Sequence, residues 1–249
     1  GTRVKSIDVE DGAAKGITLQ SGDTYTADLV VSDAGIRQTV CDLVGEDKFE
    51  PAYVERIKSL LPNLACVGYR WFLDAPILKN PMTVVFPEGG LYTWDEFKAI
   101  SEGKINEIRN YVYFGTTSLY PNTAPKGKQL VYAVMSCYPD PEMDPQLMLA
   151  YIEGIVRKIE PDLFDHIYRT EIMSVAQSAA VGTEKMALDL GGEAYGVANA
   201  VGQSGDRRPS AESPLKNLYY VGNDAGGWGM GTNQAVDSAV NVVNMILKR

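Results

Sequence analysis

Apolar positions recur along this chain in different rhythms, and each change of rhythm marks a change of element. The opening alternates: Val4 to Glu10 reads as a strand, Asp11-Gly12 as a tight turn, and Gly16 to Gln20 as the returning strand, with a second turn at Ser21-Gly22-Asp23. Leu29-Val30-Val31 is a continuous apolar run and predicts a strand covered on both faces. Ser32-Asp33 stands where a cap would, ahead of a short helix over 38–44 that stops at Gly45, and Pro51 to Leu61 reads as another helix.

From Leu64 to Asp140 the texture is β: "LACVGYRWFL", "TVVF", "YVYFGTTSL" and "QLVYAVMSC" lie between turns rich in Pro and Gly. They predict an antiparallel sheet, with "GGLYTWDEFKAISEGK" as a helix-containing excursion. Asp144-Pro145 opens a helix in which Met148, Tyr151, Ile152, Ile155, Val156 and Ile159 recur at helical spacing, a stripe for core packing, and Pro161 closes it. "HIYRTEIMSV" predicts a further strand, and Ala176 to Pro214 a long loop. The end returns to an α/β rhythm. Leu218 to Val221 is a short buried strand, "VGNDAGGWGMGTNQA" a glycine-dense turn, and the last helix carries Val236, Ala239, Val240, Val243 and Leu247 on one face.

This order predicts a domain built from 1–45 and 195–249 and interrupted by a second one at 46–194. Composition fits a globular chain of 249 residues, 45% hydrophobic and 22% charged, and a net charge of −9 argues against nucleic acid as a partner. Cys41, Cys66 and Cys137 are widely spaced and odd in number, which predicts buried thiols in a reducing, cytoplasmic setting with no zinc site. The single histidine, His166, has no partner motif and reads as structural. No apolar run is long enough to span a bilayer. No nucleophile elbow, zinc-protease pair or nucleotide-triphosphate loop occurs.

Candidate chemistry therefore rests on the terminal turn. Gly222, Gly226, Gly227, Gly229 and Gly231 let backbone N–H groups approach a ligand closely, and a helix starting near Thr232 favours negative charge at its N-terminus. In doubly wound sheets ligands sit at the carboxyl ends of strands, where Gly222 falls. A close-packed turn that binds nothing explains the glycines equally well.

"ADLVVSDA" and "PLKNLYYVGNDAGGWGMGTNQAVDSAVNVVNMIL" resemble the matching segments of the FAD-dependent phytoene desaturase, carotenoid isomerase and retinol saturase-like family, within the amine-oxidase superfamily. "SLYPNTAPKGKQLVYAV" and "AYGVANAVGQSGDRRP" are similar to family stretches before a substrate-domain strand and before the final strand. The resemblance implies α/β plus α+β architecture: a Rossmann-like, glutathione-reductase-type FAD domain interrupted by a substrate domain with a mainly antiparallel sheet. It implies that Val4 offers backbone to the adenine end of FAD, and that Gly222 and Asn223 meet the pyrophosphate or ribityl chain where the family commonly has Gly-Asp. Asp224 is adjacent and could supply that carboxylate instead. Gly229, Met230, Gly231 and Thr232 would lie beside the flavin ring. The family's G-x-G-x-x-G unit does not occur in this sequence, so the chain reads as a C-terminal fragment that by itself is inactive and holds no FAD.

Family substrates are apolar polyenes or isoprenoids. Tyr69, Trp71, Phe72, Tyr111, Tyr113, Phe114, Tyr132 and Met135 are candidates to line an apolar tunnel, although strand alternation sends at least half of them into core. Tyr92, Trp94 and Phe97 either touch a membrane peripherally or pack on the protein. An exposed apolar patch, with self-association over it, is expected where a partner domain is lacking. Two alternatives stay open: an amine- or porphyrinogen-oxidase-like flavoenzyme, and a non-enzymatic module binding a lipid or partner. The catalytic and proton-handling residues are not identifiable from the sequence.

Overall fold

The computed structural model describes residues 1–181, 194 and 196–248. They form two compact units, one of 1–63 with 196–248, the other of 64–181 with Ala194. Residues 182–193 and Tyr195, part of the expected long loop, lie outside the described residues.

In the first unit, β1 (Val4–Glu10), β2 (Ala13–Leu19) and β3 (Thr24–Thr26) form an antiparallel sheet in that order. Asp11 and Gly12 both have positive φ (48° and 71°), the left-handed pair that a two-residue hairpin requires. β4 (Val30–Ser32) pairs in parallel with β10 (Leu218–Tyr220), joining the two ends of the chain in register Leu218↔Val30, Tyr219↔Val31, Tyr220↔Ser32. Val31 is 47% exposed, so β4 is covered on one face and not on both as its apolar run suggested.

The helix expected at 38–44 starts earlier, as α1 (Ile36–Gln38), and widens into a π-helical turn (Thr39–Gly45). Neither Ser32 nor Asp33 caps it: Gly35 holds the N-cap position, and the Ile36 N–H is met by a distant carboxylate described below. α2 (Pro51–Lys58) ends short of Leu61, because Pro62 holds its preceding residue out of the helical region. Val54 and Ile57 of α2 pack with Ile7, Ile36, Val40 and Tyr220. That packing places the division of the chain after Asn63 rather than after Gly45.

α6 (Thr232–Leu247) is turned against its apolar stripe. It buries Gln234, Ser238 and Val242, while Val236, Ala239, Val240, Val243 and Leu247 are all exposed.

The second unit is a five-stranded antiparallel sheet in the order β6-β7-β8-β5-β9, from β5 (Ala65–Leu73), β6 (Met82–Val85), β7 (Val112–Gly115), β8 (Gln129–Cys137) and β9 (Ile167–Met173). α3 (Trp94–Ser101) opens with a capping box between Thr93 and Glu96. Phe97 is buried, Tyr92 stacks edge-on against it, and Trp94 packs on Tyr138. α4 (Gln146–Ile159) sets Met148, Leu149, Ile152 and Val156 against Val67, Trp71, Val131 and Met135 on one sheet face. A short helix, α5 (Val175–Val181), follows β9 inside the stretch read as loop. His166 Nδ1 lies 2.8 Å from Asp74 Oδ1, in an exposed pair. All three cysteines are free. Among the described residues no helix is long and apolar enough to cross a membrane, and no cluster of side chains could hold a metal ion.

Candidate functional site

Parallel pairing of β4 with β10 brings their carboxyl ends side by side. Asp33 follows one strand and Gly222 follows the other, and a Cβ on Gly222 would lie 2.4 Å from Asp33 Oδ1. Gly222 has φ 103°, and its N–H donates to Ser238 Oγ at 2.8 Å, which ties the turn to α6. Among the described residues Asp33 accepts no hydrogen bond, and partial burial raises its pKa.

Asn223 and Asp224 divide the work between them. The Asn223 carbonyl accepts from the Arg208 guanidinium and from the Gln234 side-chain amide. Its side-chain Oδ1 is buried and has no hydrogen-bond partner among the described residues. Asp224 is fully engaged within the protein. Oδ2 accepts from the Ile36 N–H at 2.9 Å and Oδ1 from the Val197 N–H at 2.7 Å, so one carboxylate clamps the start of α1, the 196–197 segment and the terminal turn. Gly196 is required beside it, since a Cβ there would lie 1.6 Å from Asp224 Oδ1. Burial raises the Asp224 pKa, opposed by the two N–H donors and Arg208 and reinforced by the nearby charge of Asp33.

The glycines of the turn fall into two groups. Gly226 and Gly227 serve close packing: their Cβ atoms would lie 2.3 Å from Ala211 Cβ and 2.5 Å from the Gln234 carbonyl oxygen. Gly229 (φ 101°) and Gly231 (φ 59°) have no atom nearer than 3.6 Å at that position, so there the backbone is open to a ligand. No side chain caps α6, which leaves its first N–H groups, from Thr232 onward, available to an acceptor. Trp228 and Met230 are exposed on either side of Gly229.

Val4 lies apart in sequence and borders a cleft of about 380 Å³ whose walls include Ile7, Leu29, Val30, Asp33 and Ala34. Asp33 therefore belongs to both features, the Val4 cleft and the Gly222 turn. A group carrying hydroxyl donors at one point and an anionic edge at another fits this set of partners. Asp33 and Asn223 Oδ1 are free acceptors, and the α6 start is a free donor. Arg208, Gly196, Gln234 and Ser238 were not recognisable as site residues. Gln234 and Ser238 are spaced i, i+4, but the helix also carries Asn233, Asp237, Asn241 and Asn244, so nothing in the sequence set the pair apart.

In the second unit, cross-strand register separates the aromatic candidates. Trp71, Phe114 and Met135 are buried in the core and Tyr69 packs against it. Phe72, Tyr111, Tyr113 and Tyr132 fall on the opposite face, where Tyr113 is paired with Val134 and Tyr132 with Arg70. Ring contacts run continuously from Phe86 to Tyr111 (6.3 Å), Tyr113 (6.4 Å) and Tyr132 (6.0 Å). Met82, Val84 and Phe86 extend this surface along β6 and are exposed at alternate positions.

A family profile described as "Flavin containing amine oxidoreductase" matches residues 1–247. An oxidoreductase from Methanosarcina mazei is similar in structure with a TM-score of 0.57 at 17% identity, over 98% of this chain and 49% of its own. A protein from Exiguobacterium sp. 255-15, provisionally described as a protoporphyrinogen oxidase, gives 0.60 at 14% identity over 100% and 47%. A double mutant of putrescine oxidase gives 0.59 at 11% identity over 100% and 49%. At such identities the likeness speaks for the fold alone. The chain spans about half the length of these solved structures. No curated protein sequence matches it.

Proposed function

Because the chain belongs to the flavin-containing amine oxidoreductase family, we propose that it supplies one side of an FAD site and the substrate-binding sheet of an oxidoreductase acting on an apolar polyene or isoprenoid. FAD, when bound, carries the electrons of the reaction, and the protein binds, orients and excludes water.

In this reading the α6 start and the open backbone at Gly229 and Gly231 receive an anionic edge of the cofactor. Met230 and Thr232 border that edge, and Val4 lies at the adenine end. Asn223 and Gly222 meet the polar chain between the two ends. Asp224 contributes indirectly, by holding the turn that presents them. The observation that carries the substrate class is the aromatic sheet face. Phe86, Tyr111, Tyr113 and Tyr132 form an unbroken ring surface suited to a flat conjugated body. A small cationic amine would need an unpaired carboxylate among those rings, and Glu171, the carboxylate at the described strand positions of this face, is hydrogen-bonded by Arg169.

The test uses a polypeptide that joins residues 1–249 to a dinucleotide-binding unit. Mixed without oxygen, its flavin absorbance is expected to change with a long polyene and to stay unchanged with putrescine or a porphyrinogen. Reaction with the amine or the porphyrinogen alone would favour the oxidases of those substrates. No bound flavin in the joined polypeptide would favour a non-enzymatic module. Residues 1–249 alone are expected to carry no FAD, and near-stoichiometric flavin released on denaturation would overturn that.

A further inference from the structure

The aromatic face ends, at the β5–β9 edge of the sheet, on a group of cations. Arg70 stands directly across from Tyr132 on one side and from Glu171 on the other, and Arg169 stands across from Phe72. These positions share one face, since directly paired residues project together. The Arg169 guanidinium covers the Phe72 ring at 4.9 Å, and Lys128 covers Tyr168 at 4.7 Å, with Tyr168 itself packed on Phe72. Arg169 and Lys128 therefore cover one aromatic pair, and Arg70 stands one register pair further along the same face.

Glu171 is the carboxylate set among them, and it does not saturate them. It is hydrogen-bonded by Arg169 and ion-paired with Arg70, whose Nη1 lies 3.7 Å away, outside hydrogen-bonding distance, so one carboxylate is shared between two arginines. Among the described residues Arg70 donates no hydrogen bond and Lys128 forms no ion pair. The excess of positive charge sits in a chain whose net charge is −9, so it is a local feature and not a general basic surface. Strands β6, β7, β8, β5 and β9 are successive neighbours, so the exposed β6 edge is three strand spacings, about 14 Å, from the strand of Arg70 and four, about 19 Å, from that of Arg169.

We propose that this face binds a long apolar molecule ending in a carboxylate, its body on the Phe86–Tyr132 rings and its acid on Arg70 and Arg169. A planar carboxylate matches the forked guanidinium donors, and Arg70 holds unused donors that an alcohol or hydrocarbon end would leave unmet. Lys128 adds charge at the same end. The proposal rests on the apolar-substrate reading above and narrows it to acids.

The 249-residue chain is titrated with cis-parinaric acid, a fluorescent long-chain polyene acid, and with its methyl ester, its amine analogue and geranylgeranyl diphosphate. The acid is expected to bind about tenfold more tightly than the ester, the factor of one charge-assisted contact. R70Q and R169Q are expected to lower acid affinity to that of the ester and to leave ester affinity unchanged, with circular dichroism confirming the fold. Equal binding of acid and ester overturns the proposal and leaves the apolar reading standing. Binding of none of the probes overturns both. Preference for the amine or for the diphosphate overturns the carboxylate and leaves the apolar reading standing. Loss of ester binding in R70Q and R169Q would show that the arginines act on packing alone, which also overturns it.

Discussion

α4 and α6 are comparable amphipathic helices, yet they face their units in opposite ways. α4 turns Met148, Leu149, Ile152 and Val156 into the sheet and leaves Glu153 and Arg157 outside. α6 turns Gln234 and Ser238 inward and leaves Val236, Val240, Val243 and Leu247 to solvent. The difference follows from what lies beneath. Under α4 is the apolar face of an antiparallel sheet, where burial of each large side chain is worth roughly 1.5–3 kcal/mol. Under α6 is a turn whose backbone needs partners: the Gly222 N–H finds Ser238, and the Asn223 carbonyl finds Gln234. An unmet buried group of that kind costs about 1–3 kcal/mol. The α6 stripe is thus exposed, and we propose that isolated chains associate through it.

The comparison is broken most strongly from the second unit. Trp71→Ala removes a ring that is 3% exposed and is expected to cost about 4 kcal/mol. In a denaturant titration followed by probes in each unit, the 64–181 transition should shift and the other should not. A shared shift would show that the units fold as one.

Asp224→Ala is the counterpart in the first unit. It strands the Ile36 and Val197 N–H groups and is expected to cost about 3 kcal/mol, read in the other transition. A pH series sharpens this. Burial raises the folded pKa of Asp224 above its unfolded value, so the folded state holds the proton more tightly. The stability of the first unit relative to D224N should therefore be greatest below pH 3.8 and fall as pH rises through the folded pKa. A difference that grows with pH would mean that the N–H donors outweigh burial.

Gly227→Ala is expected to cost about 2 kcal/mol through overpacking against α6. Gly231→Ala, in open space at φ 59°, should cost about 1 kcal/mol through backbone strain alone. Equal costs would mean that the two glycines are not distinguished by packing.

The smallest effect on stability is expected from Val236→Lys with Val240→Glu, within about 0.5 kcal/mol because both side chains are exposed. The same pair should abolish concentration-dependent association in sedimentation velocity. Association that survives would place the contact elsewhere.

Much of the architecture is legible in the order of apolar residues. The hairpin at Asp11-Gly12, the antiparallel strands between 64 and 140, the α4 stripe and the final strand-turn-helix all follow from local rules. Each depends on spacing and turn chemistry within a few residues. Less of the candidate site is legible. The glycine turn announces itself, but Asp33 reads as a cap and becomes an open acceptor, because Asp224 takes over at Ile36. Arg208 reads as part of a polar loop and lies buried on the Asn223 carbonyl.

The sequence by itself determined which residues share a face, since helical and strand periods are properties of the backbone. It therefore grouped Val236 with Val240 and Val243, and limited the aromatic candidates to alternate positions. Tertiary structure alone decided which face is inside. It set the apolar side of α6 outward, put Trp71 and Phe114 in the core with Phe72 and Tyr113 on the other face, and joined Asp224 to Ile36 across 188 residues. Those choices depend on which buried N–H and C=O groups need partners, and such groups meet only when distant segments are brought together.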